Sequence, residues 1–453
     1  MSLKNNIIRI FSANFLTMIS GIIIGFIVPA ILSIESYSYV KTYAFYISYI
    51  GFLHFGFVDG MYIKYGGKEV INIDKDEFKS EHRVFTIMQL IITLIFIIMG
   101  TLNSDIIVIL MGLSIIPVNT VSFHKMFYQA TGQFKEYARA SYMYTSVYLL
   151  LNILLAVVLR NQKYIYYCIA SLLSNAIVYI VLEIKFYKNT RGIKVKYKTK
   201  VWNNVKVGFF ILLGNLSVVL FYAIDRWFIK IFLGVNDFAY YSFAISMLNI
   251  VNVLVNSISI TFYNYLSKGE NKKKIKRMKK YFLILGGFSS LGYFVFAAIV
   301  SIFLKKYIPA LSIISISFAA YPYMIVINAL YVNLYKARKN EKKYLRIVIG
   351  MVVISAIYNT IAILVWKSSE AIAIATTLSF ITWYIYSMKD FNYLKSNLKE
   401  TIYLIVILIS FLLFSNCFNW LIGGMGYLIV MLTITIIFYR KDIKDILNIV
   451  LKR

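Results

Sequence analysis

The sequence predicts an all-α, polytopic integral membrane protein: fourteen transmembrane helices, forming two parallel, pseudo-repeated six-helix bundles and two further C-terminal helices around a central cavity. Three observations carry this. Apolar residues make up 60% of the 453 positions and charged residues 15%, against roughly 45–50% apolar usage in soluble domains. Fourteen apolar stretches approach or exceed the roughly 20 residues that cross a bilayer as a helix. Of the 48 lysines and arginines, 40 fall in every second loop and at the two ends of the chain, and six fall in the opposite loops. That asymmetry places both termini on the cytoplasmic side.

Taken in order, the first span, residues 9–33, is too long for a signal-peptide core and runs into further spans, so it is expected to be retained. It carries Arg9, Asn14 and Thr17, and Gly21 and Gly25 at a small-xxx-small spacing that suits close helix contact. The second, 42–63, ends in Asp59 and Lys64, with Ser48, Phe52, Phe55 and Tyr62 on the Asp59 face. Three readings of Asp59 stay open: counter-ion for Arg226 or Arg9, titrating group in ion coupling, or simple pairing with a lysine at the helix end. Spans at 84–103, 105–127, 138–159 and 164–186 complete a first bundle over 1–186. The stretch 187–205 is a basic cytoplasmic linker.

The seventh span, 206–233, contains Arg226 and Lys230 one turn apart, with Tyr222, Asn215 and Gly208 on the same face. Ionisable groups in a span are usually paired or face a cavity, at a cost of about 2.5–3.5 kcal/mol. Lys230 reads best as snorkelling to the outer interface. For Arg226, snorkelling and a cavity position are both open. Asp225 points about 100° away, toward another helix. The eighth span, 239–266, places Ser242, Ser246, Asn249, Asn252, Asn256, Ser259 and Tyr263 on one face. Such a stripe either glues helices by hydrogen bonds or lines a wet cavity, and its length favours the cavity. Spans at 281–304, 308–335, 345–366 and 370–388 complete a second bundle over 206–389. Two more, at 401–418 and 420–439, fall in an additional segment, 390–453, with a cytoplasmic tail.

The halves repeat. Tyr128-Gln-Ala-Thr-Gly-Gln-Phe-Lys-Glu-Tyr137 recurs as Tyr335-Lys-Ala-Arg-Lys-Asn-Glu-Lys-Lys-Tyr344, and the same register pairs Asn152 with Asn359. Earlier, Asn14 pairs with Asn215, Ser33 with Gly234 and Tyr39 with Tyr240. Paired first and seventh spans run the same way, as in transporters built from parallel repeats.

Other chemistry is not encoded locally. The net charge of +29 sits in connectors, not on a soluble basic face, so nucleic acid is not an expected partner. His54, His82 and His124 lack metal-ligand spacing, Cys168 and Cys417 lie in apolar spans as packing residues, and no phosphate loop or nucleophile constellation is present. No catalytic residue, metal or cofactor is expected, apart from H+ or Na+ as a possible coupling ion.

The span pattern, the Tyr128–Tyr137 segment, the exit Asp225-Arg226 through Leu233-Gly234 to Tyr240-Tyr241, and the entry Gly51-Phe-Leu-His-Phe-Gly-Phe-Val-Asp-Gly60 resemble bacterial polysaccharide flippases of the O-antigen type. These are relatives of the multidrug and toxin extrusion (MATE) transporters and of the lipid II flippase. The resemblance implies a MATE-like fold in the bacterial cytoplasmic membrane. It implies alternating-access export of an undecaprenyl-diphosphate-linked oligosaccharide for surface polysaccharide biosynthesis, alongside membrane lipids and the glycan polymerase and chain-length machinery. On the family's pattern, Arg226, Lys64 and Arg9 fit as diphosphate partners. Asn14, Asn215, Tyr222, Asn249, Asn252 and Asn256 are candidate polar contacts to substrate, with Asp59 and Asp225 for coupling or charge pairing. The acidic first-helix residue of many drug-extruding relatives has no counterpart between Arg9 and Ser33. A lipid II flippase, a cation-coupled multidrug exporter and a membrane-bound glycan polymerase are the alternatives.

Overall fold

The computed structural model of the chain describes residues 3–194, 201–266 and 269–451, and is helical with no strand among them. Residues 195–200 of the expected linker lie outside the described set. Contacts divide the chain into two units, Met1–Leu216 and Ser217–Arg453.

The N-terminal unit holds α1 (Leu3–Ile31), α2 (Ile34–Ile50), α3 (Phe57–Tyr65), α4 (Lys75–Leu102), α5 (Ile106–Ala130), α6 (Phe134–Ile153), α7 (Tyr164–Asn189) and the first part of α8 (Val201–Phe221). Helix starts follow from their caps. Asp74 accepts the amides of Asp76 and Glu77 to open α4, and Asp105 those of Ile107 and Val108 to open α5. α5 is the hub, packed by α2, α3, α4, α6 and α7. Phe57, Phe78, Phe85, Phe123 and Phe127 interlock there with Tyr65.

The C-terminal unit takes the end of α8, then α9 (Ile224–Phe232), α10 (Val235–Leu266), α11 (Lys272–Ser289), α12 (Gly292–Phe303), α13 (Ala310–Phe318), α14 (Tyr321–Val326), α15 (Val332–Ala337), α16 (Glu341–Val365), α17 (Ser369–Asp390), α18 (Leu398–Cys417) and α19 (Trp420–Leu451). The last two helices pack on α11, α12 and α13. Buried Lys279 of α11 donates to Glu400 of α18 at 2.8 Å and to the Leu394 carbonyl at 2.7 Å.

Among the described residues eleven helices are long and apolar enough to cross a bilayer, or twelve with α13 and the α14–α15 rod counted as one span bent by 46°. The chain is a multi-pass membrane protein, and among the described residues eleven or twelve of the fourteen expected spans meet this length and composition. The stretch 42–63 is interrupted between α2 and α3, where Phe55 and Gly56 take left-handed backbone angles, and 206–233 breaks between α8 and α9. The stretch 239–266 lies in α10, one continuous helix outside the eleven. At the bend, Pro322 starts α14, where its missing N–H costs no helix bond.

The two ten-residue segments that match in sequence close identically. Gln133 N–H donates to the Tyr128 carbonyl and Asn340 N–H to that of Tyr335. Gly132 and Lys339 occupy the same left-handed position, with φ of 72° and 53°.

Among the described residues of the N-terminal unit, a Cβ at Gly21 or Gly25 would meet nothing within 4 Å, so the close contact expected there is not made within this unit. The tight crossing is instead between α3 and α8. A Cβ on Gly208 would lie 1.8 Å from the Gly56 carbonyl oxygen, and one on Gly60 1.9 Å from that of Asn204. Backbones this close admit only glycine. Gly208→Ala is therefore expected to destabilise the purified protein by on the order of 1–3 kcal/mol, the usual cost of overpacking. Gly21→Ala and Gly25→Ala should match wild type in a thermal unfolding assay in detergent.

Candidate functional site

The site begins where α8 stops. Ala223 leaves helical geometry at φ −132°, ψ −6°, and the chain re-enters a helix at Ile224. The interruption puts Tyr222, Asp225 and Arg226 within the apolar stretch, beside a broken backbone that needs partners.

Those partners are supplied by α10 and by a π-helical turn, Ile327–Tyr331, between α14 and α15. Asp225, 2% exposed, accepts the Arg226 N–H at 2.7 Å on one oxygen and the Tyr241 hydroxyl at 2.7 Å on the other. Tyr222 donates its hydroxyl to Asn328 Oδ1 at 2.8 Å. Arg226 reaches back to the Tyr222 carbonyl at 3.4 Å. The π turn is pinned in turn: Ser259 donates to the Asn328 carbonyl at 2.9 Å, and Asn333 Nδ2 donates to the Ser259 carbonyl at 2.8 Å. Tyr321 donates to the Leu248 carbonyl at 2.7 Å. A π turn frees backbone groups and recurs at functional sites.

These elements enclose a cavity of about 410 Å³ wholly within the C-terminal unit, lined by Tyr222, Asp225, Arg226, Asn249, Asn252, Asn256, Asn328, Lys336 and Tyr344. Lining residues run from Ala320 through the π turn to Lys336, so the cavity follows the α14–α15 rod. Its volume falls in the roughly 300–1,000 Å³ range of small-ligand sites. Two cationic side chains and one carboxylate line it, and four asparagine amides with the phenols of Tyr222, Tyr241 and Tyr344 supply donors and acceptors. Such a set can hold an anion and hydrogen-bond hydroxyls.

Of the eleven candidates read from the sequence, six come together and five do not. Arg226, Tyr222, Asp225, Asn249, Asn252 and Asn256 line this one cavity; Lys64 is elsewhere. Its ammonium donates to Glu77 at 2.7 Å and Glu81 at 2.6 Å, and Glu81 also accepts from Tyr65 and Asn204 at 2.7 and 2.9 Å. That lysine is neutralised inside the N-terminal unit. Asp59 lies 3.8 Å from His54 Nε2. Arg9 is half-buried on α1, while Asn14 and Asn215 are exposed; none of the three lines the cavity. Lys230 stands 5.3 Å over the Phe238 ring. Within the α10 stripe Asn249, Asn252, Asn256 and Ser259 line the cavity, Ser259 also donating to the Asn328 carbonyl, whereas Ser246 donates to the Ser242 carbonyl of its own helix.

Lys336, Tyr344 and Asn328 line the cavity and were not among the sequence candidates. Lys336 and Tyr344 sit inside the repeated ten-residue segment, and Asn328 is a lone amide in an apolar stretch whose role depends on the π turn. The histidines also differ from expectation. Spacing along the chain gives no metal motif, yet His82, His124 and Glu183 converge.

No family model and no curated protein matches the sequence. Solved structures do. The chain is similar to a lipid II flippase, MurJ, in an inward closed conformation, with a TM-score of 0.71 and 15% identity, covering 96% of this chain and 100% of that one. It is also similar to an inward-facing multidrug resistance MATE family transporter of the MOP superfamily, with a TM-score of 0.53 and 14% identity over 86% of this chain and 98% of that one. At these identities what is shared is the fold, and it is a fold of membrane transporters.

Lys64→Ala would leave Glu81 buried without its cation, a change that costs about 3–5 kcal/mol when a buried pair is broken. A large fall in thermal stability is expected, largely relieved in the Lys64→Ala/Glu81→Gln double variant, as measured by unfolding in detergent.

Proposed function

We propose that the protein exports a polyprenyl-diphosphate-linked oligosaccharide from the inner to the outer leaflet of the bacterial cytoplasmic membrane by alternating access, in surface polysaccharide biosynthesis. The observation that carries this reading is the cavity in which Arg226 and Lys336 stand beside Asn249, Asn252, Asn256 and Asn328. A diphosphate needs cations to offset its desolvation, and sugars need dense amide and phenol partners. The apolar tail needs neither and stays in lipid. Lys64, Arg9, Asn14 and Asn215 belong to the proposal as contacts made along the path rather than in this cavity.

With a negative cytoplasm, outward movement of an anion gains about 2.3 kcal/mol per charge per 100 mV. Export therefore requires no nucleotide hydrolysis, and H+ or Na+ coupling through Asp59 or Asp225 is an addition to that driving force. In this reading both termini are cytoplasmic, and the working partners are the glycan polymerase and chain-length machinery.

A second reading, lipid II export, is favoured by the 0.71 TM-score to the lipid II flippase. The two separate in proteoliposomes loaded with either lipid II or a polyprenyl-diphosphate oligosaccharide. Protein-dependent translocation of the oligosaccharide lipid and not of lipid II is expected; the reverse preference overturns the first reading in favour of the second. In the same assay Arg226→Ala should lose at least tenfold in rate with normal membrane insertion. Arg226→Lys should recover part of it, because an ammonium keeps the charge but not the planar fork. Full activity in Arg226→Ala would remove this residue from the mechanism.

A further inference from the structure

His82 on α4, His124 on α5 and Glu183 on α7 meet inside the N-terminal unit, far along the chain from one another and outside the cavity described above. Both imidazole Nε2 atoms lie 2.8 Å from the same carboxylate oxygen, Glu183 Oε1. The ligating atoms of all three residues fall within 4.8 Å of one another. The side chains are buried, at 2%, 2% and 8% exposure, and the shell around them is aromatic: the Phe186 ring is 4.1 Å from that of His82, and Phe123 is 5.5 Å from it.

We propose that His82, His124 and Glu183 bind a divalent transition-metal ion of the zinc type, which ties α4, α5 and α7 together near the ends that carry basic loops. Chemistry, geometry and access each support it. Two imidazoles and one carboxylate are the donor set of open zinc sites, and imidazole selects zinc, cobalt, nickel or copper over magnesium or calcium. A buried carboxylate whose hydrogen-bond partners are two imidazoles is stabilised when positive charge joins it, as a proton or as a metal ion. Donors around tetrahedral zinc, at about 2.0–2.1 Å from the metal, stand about 3.3 Å apart. The two 2.8 Å separations thus need to open by about half an ångström, and the two imidazole donors, within 4.8 Å of one another, to settle at the same spacing. A cavity of about 110 Å³, lined by His124 with Tyr128, Gln133, Lys185 and Asn189, reaches the cluster. It provides an entry path and room for a water as fourth ligand.

The decisive experiment uses the purified full-length protein in detergent, with any affinity tag removed. It is titrated with CoCl2, followed by visible absorption, and then with ZnCl2 as competitor. About one Co2+ per chain is expected, with the intense visible bands of a tetrahedral site, displaced by Zn2+. Zn2+ should also raise the melting temperature, and EDTA should reverse the rise. His82→Ala, His124→Ala and Glu183→Gln should each weaken Zn2+ binding at least tenfold. Glu183→Gln keeps the size and much of the hydrogen bonding of the native side chain, and so reports on binding even where an alanine variant does not fold. Absence of a Co2+ spectrum and of stoichiometric Zn2+ in the wild-type protein overturns the proposal, leaving a hydrogen-bonded triad that shares a proton. Binding unchanged in Glu183→Gln overturns it as well, by placing the metal elsewhere.

Discussion

An arginine and an aspartate in an otherwise apolar stretch are tolerated only where the protein replaces water as their solvent. In this chain that requirement organises the C-terminal unit. Asp225 is satisfied by a backbone amide and the Tyr241 hydroxyl, which anchors the first turn of α9 to α10. The Tyr222 hydroxyl then ties the end of α8 to the π turn. Arg226, held one turn further on, lines the cavity with the asparagines of α10. Remove the break at Ala223 and this stretch becomes a continuous helix that presents its charges to lipid.

Interrupted backbone recurs in the N-terminal unit. The α2–α3 break at Phe55 and Gly56 brings Asp59 beside His54 and lays α3 against α8 through Gly56, Gly60 and Gly208. Within a bilayer such breaks survive only where neighbouring helices pair the freed groups. The N-terminal unit meets this need with side chains at the break: Asn119 Nδ2 donates to the Ile50 carbonyl at 3.1 Å, and His54 Nδ1 accepts the Gly56 N–H at 3.1 Å. The C-terminal unit meets it with hydroxyl-to-carbonyl bonds that leave amide side chains open to a cavity.

The membrane class was legible because hydropathy and loop charge are properties of composition and order alone. The polar face of α10 was legible because helical spacing turns positions 249, 252 and 256 into a stripe. Span number was less so: an apolar run such as 42–63 reads as one helix, and only the left-handed angles at Phe55 and Gly56 divide it. The partners of Lys64 were hidden for a related reason. Sequence shows a cation near a span end but not that Glu77 and Glu81, a turn apart on the next helix, fold over it. The convergence of His82, His124 and Glu183 is wholly tertiary, and no local spacing announces it.

The central claim is that the chamber around Arg226 is wet and positively charged. It is tested most directly by thiol accessibility at Asn252→Cys in a Cys417→Ser background, since Cys417 is exposed and Cys168 buried. A small anionic methanethiosulfonate reagent should modify this cysteine several-fold faster than a cationic one of the same size, and the preference should shrink in Arg226→Ala. No modification by either reagent, or faster reaction with the cation, would contradict the account.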